Sequence, residues 1–204
     1  MAATLNKPAV SVADIAAQAK AGSLPNLQSE VKTIYIDAIN FEPTTTNGAP
    51  TGTNEYATND IMLRHSAFDA TTLEKIQFKF PMPEDWDFNS IKAKFFWTSA
   101  TSSTAGDTVE WGLKAGAFKD GDTIDTALGT GQVISDILLA TNGVDLQITD
   151  ATPPITIGGS PALGDLIIFE AYRNVGGTDD LVEDAWLAGV WIQYKTSKSI
   201  IEAW

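Results

Sequence analysis

The chain has 204 residues, 44% of them hydrophobic and 9% aromatic, which suffices for one sizeable core and excludes a disordered chain. A net charge of −13 and a pI near 4.3 set it against nucleic-acid phosphates and anionic lipid heads, so neither is an expected partner. Cysteine is absent, which removes disulfides, thiolate metal sites and a Cys nucleophile, and no run approaches the ~18 apolar residues of a membrane span.

Residues 1–30 read as an arm, distinct from a body at 31–204. The N-terminus shows no apolar h-region, so no secretory signal is expected. Ser11 and Asp14 form a weak capping box that opens a helical run. Val12, Ile15, Ala16 and Ala19 fall on one face, and Gly22 ends the run. A helix this short is marginal alone, so the stripe must lie on something. It covers either its own sandwich or a neighbouring subunit, with Ser23-Leu24-Pro25-Asn26 as the hinge.

The body reads as short strands separated by Thr, Gly, Asn and Pro. Val31–Asp37 is the first, and Pro43–Asn59 reads as a long loop and a contact surface. Ile61–Phe68 and Leu73–Phe80 follow, the latter ended by Pro81-Met82-Pro83. In Ser90–Ala100, Ile91, Ala93, Phe95 and Trp97 share one parity. In Asp107–Asp120, Val109, Trp111, Leu113, Ala115 and Ala117 do the same. Such alternation marks half-buried strands. The small polar link Thr101–Gly106 makes the two a hairpin-like ribbon at the centre of the fold.

Lys119–Gly131 reads as a loop with one helical turn from Asp122 to Leu128. Val133–Leu139, Val144–Ile148 and Ile155–Ile157 read as shorter strands, Asp165–Arg173 as a central one and Leu181–Lys195 as the last. Gly189 suggests a bulge that brings Trp186 and Trp191, five apart, to one side. The end, I-I-E-A-W, is apolar and expected to pack. The expected fold is therefore all-β: a jelly-roll-like antiparallel β-sandwich with a short N-terminal helical arm. An immunoglobulin-type sandwich, usually smaller, is the runner-up.

Little in the sequence points to chemistry. His65 is the sole histidine and lies in a strand, so it reads as structural rather than as a catalytic base. Asp120, Asp122 and Asp125 lack the glycine and terminal Glu of a calcium loop and read as a solvated turn. Asp179, Asp180, Glu183 and Asp184 read as a second group facing water. Nothing marks out a carboxylate pair for glycoside hydrolysis. Of the six tryptophans, Trp97 and Trp111 share core parity, whereas Trp86 reads as exposed. No catalytic, metal-binding or cofactor-binding residue is expected, and no cofactor.

The stretch T-T-T-N-G-A-P-T-G-T-N-E-Y-A-T-N-D-I-M (Thr44–Met62), with F-D-A-T-T-L-E-K-I-Q-F, P-x-x-W-D, F-W-T and V-E-W-G-L, resembles small structural proteins of tailed bacteriophages. G-T-G-Q-V, P-x-L-G-D-L-I-I-F-E-A-Y-R and L-A-G-V-W-I-Q-Y continue the resemblance, which covers about residues 33–195 and leaves out the arm. It implies a non-enzymatic virion protein: a capsid decoration (cement) protein, or a head or tail appendage. It implies synthesis in the host cytoplasm and a final place on the capsid surface. The partners it implies are the major capsid protein or another virion protein and further copies of the chain, as a trimer, with Val12, Ile15, Ala16 and Ala19 as the anchoring residues. A receptor- or glycan-binding module of a fibre is the alternative, favoured by any exposed aromatic cluster with polar neighbours. An enzyme acting on surface polysaccharide comes third.

Overall fold

The computed structural model describes residues 30–141 and 144–197. The expected arm, with Val12, Ile15, Ala16 and Ala19, lies outside them, as does the apolar end. The described residues form eleven strands and one 3-10 turn, Ala38–Asn40, with no α-helix. The strands are β1 (Val31–Asp37), β2 (Glu42–Pro43), β3 (Thr51–Tyr56), β4 (Ile61–Phe68), β5 (Lys75–Pro81) and β6 (Lys92–Ser99). They continue with β7 (Thr108–Phe118), β8 (Gln132–Ile137), β9 (Gln147–Ile148), β10 (Leu166–Arg173) and β11 (Ala185–Lys195).

Two antiparallel sheets stack with their apolar faces inward. Sheet A runs β3-β4-β11-β6-β9, and sheet B runs β2-β5-β10-β7-β8. Within these, β4–β11 are ordered β4-β11-β6-β9 opposite β5-β10-β7-β8, so the chain crosses between sheets at almost every connection. That is the strand order of a jelly roll. β1 and β3 widen sheet A, and β2 extends sheet B.

Strand β11 is the spine of sheet A. β6 pairs along one edge, while β4 holds Ala185–Leu187 and β1 holds Gly189–Lys195 on the other. The register slips between Leu187 and Gly189, leaving Ala188 as the extra residue. This is the bulge that Gly189 announced. Trp186 and Trp191 are both half-buried and alternate with buried neighbours on the same outer face.

The central ribbon is corrected. β6 lies in sheet A and β7 in sheet B, each bonded to other strands, so the two face one another across the core rather than pairing. Alternation shows that each strand buries one face, but not which strand it pairs with. Six linking residues easily span the ~10 Å between stacked sheets. The inward rings then meet from opposite sheets: Phe95 lies 5.8 Å from Trp111 and Trp97 6.3 Å from it, with Phe68 edge-on at 5.1 Å. Trp97 and Trp111 are both fully buried. Trp97 also reaches across from sheet A to donate its Nε1–H to Asp136 on β8 in sheet B, at 2.8 Å.

Three other expectations change. The Pro43–Asn59 loop contains β3, which pairs with β4 over its whole length; its residues T-G-T-N-E-Y alternate in exposure, but not in hydrophobicity. Asp122–Leu128 forms no helical turn; its backbone bond runs from Thr126 N–H to the Ile124 carbonyl, and the Thr126 hydroxyl donates to the Thr123 carbonyl. Val144–Ile148 shrinks to β9, and Ile155 makes only an isolated bridge to Ile91.

Candidate functional site

The outer face of sheet A carries an aromatic row. Register places Tyr35, Trp191 and Lys94 side by side across β1, β11 and β6, and Thr33, Gln193 and Lys92 in the next row. Same-face neighbours of this kind stand about 4.5–5.5 Å apart at Cβ. On the other side of the Tyr35 row lies the row of Asp37, Gly189, Phe96 and Ile148. A Cβ on Gly189 would come within 2.3 Å of the Tyr35 hydroxyl, so the tyrosine ring lies directly on the glycine. Tyr35 then meets Phe96 edge-on at 5.3 Å, and Phe96 meets Trp191 edge-on at 5.1 Å.

Tyr35 remains 47% exposed and Ile148 50%, so the row is open to solvent and braced from below. Burial, and then the Asp37 carboxylate, hold the Tyr35 phenol above its usual pKa. The ammonium groups of Lys92 and Lys94 make no ion pair among the described residues. Lys32, Lys75, Lys79 and Lys114 each have a carboxylate oxygen between 2.5 and 3.9 Å away.

His65 closes one end of this face. Its ring stacks on Trp186 with centroids 4.2 Å apart and planes 11° off parallel. A Cβ on Gly52 would come within 2.8 Å of its Nε2. Its buried Nδ1 has no hydrogen-bond partner, and burial pushes its pKa down, partly opposed by the nearby Leu63 backbone. A neutral imidazole wedged between a tryptophan and a glycine is a packing element.

A second exposed feature is the crossing from β8 to β9. Ile137, Leu139, Val144, Leu146 and Ile148 are each between 50% and 73% exposed, while Leu138 among them is buried. Ile148 stands in register with Phe96, so this apolar run continues the aromatic row around the edge of sheet A.

The residues singled out from the sequence fare differently. Among the described residues, no group of three His, Asp or Glu is arranged to hold a metal. Asp120, Asp122 and Asp125 are exposed in their loop, as expected. Trp86 is fully buried, contrary to expectation, with Phe88 packed on it at 5.3 Å. The second acidic group is also corrected, because Asp179 is not solvated. It grips Arg173 through two oxygens, at 2.9 Å from Nε and 2.7 Å from Nη2, and both side chains are almost wholly buried.

The other three guanidinium hydrogens go to the carbonyls of Phe68, Glu183 and Leu181, so all five donors are used. A buried charge needs such saturation. The arrangement ties the connection before β11 to β10, and is structural. Reasoning from sequence missed the outer aromatic row, although Phe96 directly after Phe95 places an apolar ring on the polar parity of β6.

No family model matches the chain and no curated protein matches it. Solved structures to which the chain is similar include dimeric latent PorU from Porphyromonas gingivalis, at TM-score 0.41 and 12% identity over 83% of this chain and 13% of that one. A structure of infectious bursal disease virus, Gx strain, matches at TM-score 0.37 and 12% identity, over 85% of this chain and 34% of that one. TmCBM61 in complex with β-1,4-galactotriose matches at 0.30 and 12%, over 80% and 86%. The chain thus spans well under half of the first two. At these scores the likenesses carry no reading of function.

Proposed function

We propose that this chain is a non-enzymatic virion structural protein of a tailed bacteriophage, most simply a decoration protein that docks on the head and stabilises it. One observation carries the reading: Ile137, Leu139, Val144, Leu146 and Ile148 stand open on the jelly-roll body. Large exposed apolar surfaces on soluble proteins mark contact sites. Covering each of these side chains would contribute roughly 1.5–3 kcal/mol, a sum large enough to fix a repeated copy on a symmetric shell. The resemblance of the β-body to phage structural proteins supports the same reading. The partner is the major capsid protein, the assembly is a trimer, and Val12, Ile15, Ala16 and Ala19 supply a second anchor.

The alternative, a glycan- or receptor-binding module, is favoured by the open aromatic row at Tyr35, Phe96 and Trp191. The test is reconstitution. Heads lacking the protein are mixed with the full chain, with a Leu139→Asp/Leu146→Asp variant and with a chain lacking residues 1–26, and sedimentation separates bound from free. Loss of binding in the double variant supports the reading. Binding by all three overturns it.

A further inference from the structure

We propose that the outer face of sheet A binds an acidic polysaccharide, a linear chain of uronic-acid pyranosides, with Tyr35 and Trp191 as stacking platforms and Lys94 and Lys92 as carboxylate partners. This inference does not rest on the virion reading; it concerns the isolated protein. Tyr35 is pressed onto Gly189 on one side, with the Phe96 ring 5.3 Å away and at 83° to it, so the ring is seated before any ligand arrives. Trp191 is braced by Phe96 in the same way. Preorganised rings lose little entropy on binding and offer a flat apolar face to the C–H face of a sugar.

The ligand's charge follows from the lysines. In a chain of net charge −13, Lys32, Lys75, Lys79 and Lys114 are matched to carboxylates; Lys92, Lys94, Lys119 and Lys195 form no ion pair among the described residues, and of these Lys92 and Lys94 stand in the rows of Gln193 and Trp191. They lie two residues apart on β6, about 7 Å along the strand, with Lys94 in the row of both rings. An acidic sugar chain running along β6 can give one carboxylate to each. Gln193 and Thr33, in the row of Lys92, supply neutral hydrogen-bonding groups for hydroxyls. Asp37, paired in register with Gly189, accepts the Ile39 N–H at 2.9 Å and keeps its negative charge, so the ligand's carboxylates belong at the Lys92 and Lys94 side of the face, away from it. The site is an open sheet face rather than a concave pocket, so it suits an extended polymer better than a small molecule.

The test uses the full chain and two forms of one probe: a hexamer of galacturonic acid and the same hexamer fully methyl-esterified, which keeps the ring faces and removes the charge. Calorimetry should show the acid form binding, with affinity falling as salt is raised, and the ester binding more weakly. Lys94→Ala should weaken the acid form by about tenfold and leave the ester unchanged. Tyr35→Ala should weaken both, again by about tenfold. Both substitutions sit on the exposed face, and near-ultraviolet circular dichroism confirms that each variant is folded. No binding of the acid hexamer, equal affinity for acid and ester, or indifference to both substitutions overturns the proposal. So does an outcome in which these substitutions abolish binding to virions but the protein ignores the hexamer, since the face then serves a protein partner.

Discussion

The two outer faces of the sandwich are built from similar parts and left in opposite states. On sheet B, Glu170 receives Lys114 at 2.9 Å, Gln77 at 3.0 Å and Lys75 at 3.9 Å, and its side chain is 8% exposed. Burial alone would raise its pKa, but the hydrogen bonds from Lys114 and Gln77 and the two lysine charges outweigh this and hold it low. On the outer face of sheet A, Lys92 and Lys94 have no such carboxylate among the described residues. Each face also lays a tyrosine on a glycine: Tyr172 sits against both Gly112 and Gly131, whereas Tyr35 rests on Gly189 alone and stays open. Groups that satisfy one another stabilise the fold and leave nothing for a ligand. Groups left open are available to bind.

The largest effect separates the inner rings from the outer ones. Trp97→Ala and Trp111→Ala should each cost about 3–5 kcal/mol in chemical denaturation, since both rings are fully buried between the sheets. Trp191→Ala should cost clearly less. A Trp191 loss as large as that of Trp111 would make the outer row part of the core and end the contrast between the faces.

Next comes the charge on sheet B. Glu170→Ala leaves Lys75 and Lys114 without their shared carboxylate and should cost about 1–3 kcal/mol. Lys94→Ala on sheet A should stay within about 0.5 kcal/mol. Equal losses would mean that Lys94 has a role in stability. The two glycines sharpen the comparison further. Gly112→Ala drives a Cβ to 2.3 Å from Tyr172, a ring also confined by Gly131, and should cost about 1–3 kcal/mol. Gly189→Ala meets the far end of a half-exposed ring that it would push out of its seat, and should cost under about 1 kcal/mol while moving the Tyr35 platform.

The smallest effect is on pH. Burial lowers the folded pKa of His65, so below its ordinary value of 6.5 the unfolded chain binds the proton and the folded one resists it. Its contribution is present above pH 6.5 and is lost as pH falls from there through the folded value. Glu170, also depressed, keeps its contribution above its ordinary 4.5 and loses it only on further acidification. Sheet A should therefore respond first. Stability should decline below pH 6.5 in the wild type and decline less over that window in His65→Phe, with the Trp186 fluorescence following the same titration.

Much of this fold is legible in the sequence. Short strands without helical alternation in the body point to a jelly-roll-like sandwich, and Gly189 between two tryptophans five residues apart points to the bulge. The pairing of β6 and β7 was not legible, because parity is blind to whether the next strand lies beside or opposite. β3 was hidden because an edge strand of Thr, Gly and Asn carries no apolar signal. Arg173 and Asp179, six residues apart, show nothing in sequence of the two hydrogen bonds between them or of the three by which Arg173 holds the carbonyls of Phe68, Glu183 and Leu181. The aromatic row was readable from Phe96 on the polar parity of its strand, and was passed over because the neighbouring Phe95 and Trp97 explain themselves as core.

Hydroxyl-radical footprinting of the full chain, free and bound to heads, addresses the central claim most directly. The apolar crossing lies at the end of the sandwich where Thr108 pairs with Ile137, and the loops holding Ile124 and Leu163 lie at the end marked by the Phe118–Leu166 pair. The account predicts that Ile137, Leu139, Val144 and Leu146 become protected on binding while Ile124 and Leu163 stay reactive. Protection at Ile124 and Leu163, with the crossing unchanged, would contradict it.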